Sequence, residues 1–142
     1  LDGIEEYNDL GRNHVEGTVD YPQNPPVGGD HAPVWVNCGD YSDPVEPEMA
    51  VHALEHGAVW IAYDPSLGAE DVQQLASLTD TNGFVLVSPV EEMDAPVVAT
   101  AWGVQLPLED ANDQRLAEFV TTYAQGPQTP EPGAPCTGGL DG

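Results

Sequence analysis

Four histidines are spread through 142 residues, and two of them, His52 and His56, fall four apart in Met49-Ala50-Val51-His52-Ala53-Leu54-Glu55-His56-Gly57. On a helix this spacing puts both imidazoles on one face, where their nitrogens can reach a common point. Imidazole pairs of this kind hold transition metals such as copper and zinc. Met49 lies three residues before His52 and shares the stripe, so its thioether is a candidate further donor. His31 follows the loop Asn24-Pro25-Pro26-Val27-Gly28-Gly29-Asp30, whose prolines and glycines exclude a helix or a central strand. It is the best candidate for a third ligand. Met93, Cys38 or His14 could complete the shell, and Glu55 could orient a ligating histidine from behind.

The same residues admit a second chemistry. His52-Ala53-Leu54-Glu55-His56 matches the His-x-x-Glu-His pattern in which two histidines bind zinc and the glutamate activates water. Glu55 would then be catalytic, with Glu118 or Glu131 as a distal acidic ligand. Five residues are a short pattern, and a strand follows at once in a small domain. A metal-binding protein, with copper favoured over zinc, is therefore preferred to a hydrolase. A structural or interaction module is the remaining alternative.

The elements that must position these residues can be read from periodicity. Pro47 and Glu48 suit the first turn of a helix that ends at Gly57. Val15–Tyr21 alternates like a strand, and Val34–Gly39 is a short apolar segment ending in a turn. Ala58–Tyr63, Phe84–Ser88 and Val97–Gly103 read as strands. Ala69–Leu78 has helical spacing, as does the stretch from Asp110 with Leu116, Phe119, Val120 and Tyr123 on its core face. The expectation is an α+β domain with a mixed or antiparallel sheet of about four strands and helices packed on it. Its β–β–α ending resembles the second half of a thioredoxin-like fold, without a Cys-x-x-Cys motif. Residues 1–13 read as a tether or short helix, 14–126 as one globular domain, and 127–142 as an extended tail.

Cys38 and Cys136 are the two cysteines. In an exported protein they would pair and pin the tail; the rival reading makes Cys38 a thiolate ligand. No run approaches the ~20 apolar residues of a membrane span. The opening Leu1-Asp2-Gly3 lacks the basic segment of a secretory leader, which suggests a mature or trimmed chain.

Several runs carry a resemblance. They are His14-Val15, Gly29-Asp30-His31, Asn37-Cys38-Gly39, Val51-His52-Ala53-Leu54-Glu55-His56-Gly57-Ala58-Val59-Trp60, Ala95-Pro96-Val97-Val98, Ala101-Trp102-Gly103, and Thr129-Pro130-Glu131-Pro132-Gly133-Ala134-Pro135-Cys136. Together they resemble the prokaryotic family known as domain of unknown function 3105, from His14 to Gly139. The resemblance implies a secreted or membrane-anchored domain, often behind an N-terminal anchor; the structural-module alternative would give it a cell-surface or membrane partner protein. It supplies no activity. Met49 and Met93 depart from the family pattern.

Charge is the strongest global feature. Twenty-five acids stand against two arginines and no lysine, for a net charge of −23. Nucleic acid and anionic membranes would be repelled and are excluded as partners. The acids are scattered, as expected of a halophilic protein whose self-repulsion is screened by molar salt. The thermal unfolding midpoint should therefore fall on transfer from molar to decimolar salt. An unchanged midpoint would contradict that reading.

Overall fold

A computed structural model describes the whole chain, Leu1–Gly142. Six strands form one mixed sheet: β1 (Glu5–Glu6), β2 (Gly39–Asp40), β3 (Val59–Tyr63), β4 (Val85–Pro89), β5 (Val97–Ala101) and β6 (Val104–Leu108). Their order is β1-β6-β5-β3-β4-β2. β4 runs parallel to β3 and β2, whereas β5 is antiparallel to β3 and to β6. The helices are α1 (Pro47–Glu55), α2 (Ala69–Ala76), the single turn α3 (Leu78–Thr81) and α4 (Arg115–Tyr123). No helix is long and apolar enough to cross a membrane.

The class is α+β, with six strands where about four were expected. β6 escaped the periodicity because Pro107 interrupts it. Proline removes a donor from a sheet and is tolerated at an edge. Pro107 faces Val98 of β5 on one side, while the two residues of β1 reach only Val104 and Gln105 on the other. Residues 5–6 thus close the sheet, which corrects the reading of 1–13 as a tether or short helix. Val15–Tyr21 is not a strand. Gly17 turns the chain at φ +82°, and the Val19 amide donates to the Glu48 carboxylate instead of to a ladder. Helix α4 begins at Arg115, after a turn in which Asp110 and Asp113 accept the amides of Asn112 and Arg115.

All five residues of β3 are buried, as expected of a strand covered on both faces. Val59, Ile61 and Tyr63 join Leu116, Phe119 and Val120 of α4 in one core. Trp60 and Ala62 point the other way and pack with Ala50, Val51, Ala53 and Leu54 of α1. The sheet therefore separates α4 from α1.

Helix α1 is buried from Glu48 to Glu55. It stops because Gly57 takes φ +108°. The Gly57 amide donates to Leu54 and the Ala58 amide to Ala53, the paired bonds of a Schellman ending. The chain then enters β3 directly. A helix buried on this scale must find partners for every polar side chain it carries inside, and α1 carries Glu48, His52 and Glu55.

Phe119 is fully buried at the centre of the α4 core. Phe119→Ala should cost about 3–5 kcal/mol. Val34, which is 40% exposed, should change by less than about 0.5 kcal/mol on truncation to alanine. Urea unfolding in molar salt measures both.

Candidate metal centre

Three separate segments bring the histidines over one end of α1. His52 comes from the helix, and His56 is the residue that caps it. The proline- and glycine-rich loop is tied to α1 by the Ala32 amide, which donates to the Glu48 carbonyl at 3.2 Å. That bond lays His31 against the helix, where it is fully buried. His14 is held beside His31 by two backbone bonds: the Val15 amide donates to the His31 carbonyl at 2.8 Å, and the His31 amide to the Asn13 carbonyl at 3.0 Å. The ring of His14 is exposed and stacks on His52, with centroids 5.0 Å apart and planes at 26°.

The C-terminal tail closes the other side. Cys136 is bonded to Cys38, 98 residues away, with Cα atoms 5.4 Å apart. The Glu131 amide donates to the Glu55 carbonyl at 3.1 Å. Both cysteines are consumed in this bond, so the reading of Cys38 as a thiolate ligand is corrected.

Hydrogen bonding fixes how three of the rings face. Nδ1 of His31 lies 2.8 Å from the Gly29 carbonyl, Nδ1 of His52 2.7 Å from the Ala32 carbonyl, and Nδ1 of His56 2.7 Å from the Pro135 carbonyl. A carbonyl oxygen only accepts, so each Nδ1 must donate. Each neutral ring is then left with a bare lone pair on Nε2, the arrangement typical of metal-ligating histidine.

What faces those lone pairs is also acceptor. Nε2 of His52 and Nε2 of His56 are 3.1 Å apart. Nε2 of His31 is 3.2 Å from Glu55 Oε1, and Nε2 of His56 is 3.4 Å from Glu131 Oε2. Burial, with the neighbouring imidazoles adding to it and the Ala32 carbonyl opposing it, pushes the His52 pKa down to about 4. That ring is therefore neutral near pH 7.

Two groups of donor atoms are close enough to hold an ion, their members all within 4.8 Å of one another. One is His14, His31, His52 and Glu55; the other is Glu55, His56 and Glu131. Ligands about 2.0–2.2 Å from a tetrahedral zinc stand roughly 3.3–3.6 Å apart. The His31–Glu55 and His56–Glu131 contacts, at 3.2 and 3.4 Å, are near this spacing, and an edge as long as 4.8 Å would have to shorten by about 1 Å on binding.

His31, His52 and His56 are thus brought together as the sequence suggested, but the helix pair is divided between two groups. Glu55 stands among the donor atoms, which makes it a ligand candidate more than a water-activating base. Glu118 lies exposed on α4, across the sheet. Met49 is buried in the apolar core with Val45, Ala50 and Val51. Met93 lines a surface depression with Asp64, Ser66 and Asp94, none of the lining residues being a histidine. Packing accounts for both methionines.

Two tryptophans stand beside the histidines. Trp35 lies 5.4 Å from the His52 ring and 4.7 Å from that of His56, and Trp102 lies 6.1 Å from that of His31. Their signal was position: Trp35 follows His31 by four residues.

A family model described as "Protein of unknown function (DUF3105)" matches residues 14–138. The chain belongs to that family. The match begins at His14 and takes in His31, His52, Glu55, His56 and Glu131, so this member of DUF3105 has both donor groups inside the family's span. Neither the curated proteins nor the solved structures yielded a match.

In the chain-entropy account a disulfide closing so long a loop stabilises the fold by about 4–5 kcal/mol. Replacing both cysteines by serine should cost about 2–5 kcal/mol. It should also free Pro135 from His56, read as faster proteolysis of the tail. A tail that stays protected would contradict its dependence on the disulfide.

Proposed function

We propose that this DUF3105 domain is an extracytoplasmic transition-metal-binding protein, with copper favoured and zinc the alternative. The observation that carries the reading is the meeting of imidazole lone pairs and carboxylate oxygens with no side-chain donor between them. A cluster of acceptors is repulsive by itself, and a cation placed among them turns every lone pair into a bond. A single proton would satisfy one contact and leave the rest unpaired.

His31, His52, His14 and Glu55 supply three nitrogens and one oxygen. This set suits divalent copper or zinc, and a thioether from Met49 or Met93 is not needed to complete four donors. Four protein ligands leave no position for substrate, which favours holding a metal over hydrolysis. His14 is the exposed member, so it is the ligand through which an ion would enter and leave. The role is acquisition, buffering or delivery outside the cell. The disulfide supports an oxidising compartment, and the acidic surface would gather cations.

A thioredoxin-like likeness for the second half is retained as part of this proposal, on the β5–β6–α4 succession alone. It brings no redox role, because the two cysteines join distant segments.

The test is elemental analysis of untagged protein from its native host, purified in molar salt. About one tightly held copper or zinc per chain, lost in the His31→Ala, His52→Ala double variant while circular dichroism stays native, is expected. Copper(II) added to metal-free protein should also quench Trp35 fluorescence. No bound metal, even after incubation with excess copper or zinc, would overturn the proposal and leave a structural or interaction module.

A further inference from the structure

Glu55 belongs to both donor groups. Its carboxylate has two oxygens and is almost fully buried. Apart from the contact with His31 it has no side-chain hydrogen-bond partner. His56 and Glu131 also place donor atoms within 4.8 Å of a Glu55 carboxylate oxygen. The His56 ring is locked by Pro135, so that Nε2 faces Glu131 at 3.4 Å and His52 at 3.1 Å. Glu131 is not placed by chance, because its amide is bonded to the carbonyl of Glu55 itself and its segment is held by the disulfide.

We propose that Glu55 bridges two metal sites, the second formed with His56 and Glu131. This rests on the metal-binding reading of the first site. The geometry suits a carboxylate-bridged pair, in which ions stand about 3.5–4 Å apart. His52 and His56, four apart on one turn, then bind different ions, and their close Nε2 contact becomes the approach of ligands to neighbouring metals.

Two dications would bring four positive charges to the two carboxylates Glu55 and Glu131, and the acidic surface of a chain with net charge −23 would offset the excess of two. The two sites differ in chemistry. The first is rich in nitrogen and mostly buried. The second has one imidazole and two carboxylates, and the Glu131 side chain is 55% exposed. It should bind harder, oxygen-preferring divalent ions more weakly, keep water as its remaining ligand, and exchange faster.

The experiment is equilibrium dialysis of metal-free full-length protein against zinc in molar sodium nitrate, with zinc and protein measured together. Two zinc ions per chain are expected for the wild type. In Glu131→Gln, which changes an exposed residue, the second should weaken at least tenfold while the first is retained. The same titration with cobalt(II) should give a magnetically coupled pair at two equivalents and an uncoupled ion in Glu131→Gln. One zinc per chain in the wild type would overturn the second site and leave the first standing. Two ions with unchanged affinity in Glu131→Gln would also overturn it, by placing the second ion elsewhere. No zinc at all would remove both sites together.

Discussion

Three backbone carbonyls, those of Gly29, Ala32 and Pro135, hold the Nδ1 protons of His31, His52 and His56. Each bond is ordinary alone. Together they turn three Nε2 lone pairs into one small volume that already contains two carboxylates. Without the carbonyls the rings could flip tautomer and bond to one another or to Glu55 as a closed polar network. With them, a neutral ring has no second proton to give, and its Nε2 lone pair is turned toward the cluster. Oriented donors of this kind cost little reorganisation when a cation arrives.

The rest of the fold can be seen as the means of bringing those carbonyls into place. The sheet gives α1 a buried seat, with Trp60 and Ala62 below it and Val59 and Ile61 turned to the opposite core. The Schellman ending at Gly57 stops the helix where His56 still belongs to it. The Ala32–Glu48 backbone bond lays the His31 loop on one flank, and the disulfide fixes the tail on the other. Sequence-distant segments therefore converge on a single helical turn. Their backbone polar groups do not find a ladder there, which is why so much of the chain around the site is irregular.

Much of the centre could be read before any coordinates. His52 and His56 were legible from helical spacing, and His31 from a loop whose composition gave the residue no packing duty. The division of the pair between two donor groups was not legible, because spacing tells which face a residue occupies and says nothing of what lies opposite it. Glu131 appeared only as a distal acid, since its approach depends on a disulfide that folds the tail back over the helix. Met49 illustrates the converse: its position on the histidine stripe was real, yet on a helix buried all round the stripe is also core. Within the fold, β3, β4 and β5 were clear as apolar runs, whereas β6 was hidden by Pro107 and β1 is too short and too acidic to signal a strand. Val15–Tyr21 alternated correctly and still formed no strand, because Gly17 and the Glu48 carboxylate offered its backbone another arrangement.

The most direct test of this account is anomalous diffraction from crystals soaked in copper or zinc, recorded at the metal's absorption edge. A peak about 2.0–2.2 Å from Nε2 of both His31 and His52 is expected, with Nδ1 of each still bonded to its carbonyl. A peak away from the cluster, ligation through Nδ1, or no peak at an edge where the soaked metal scatters would contradict it.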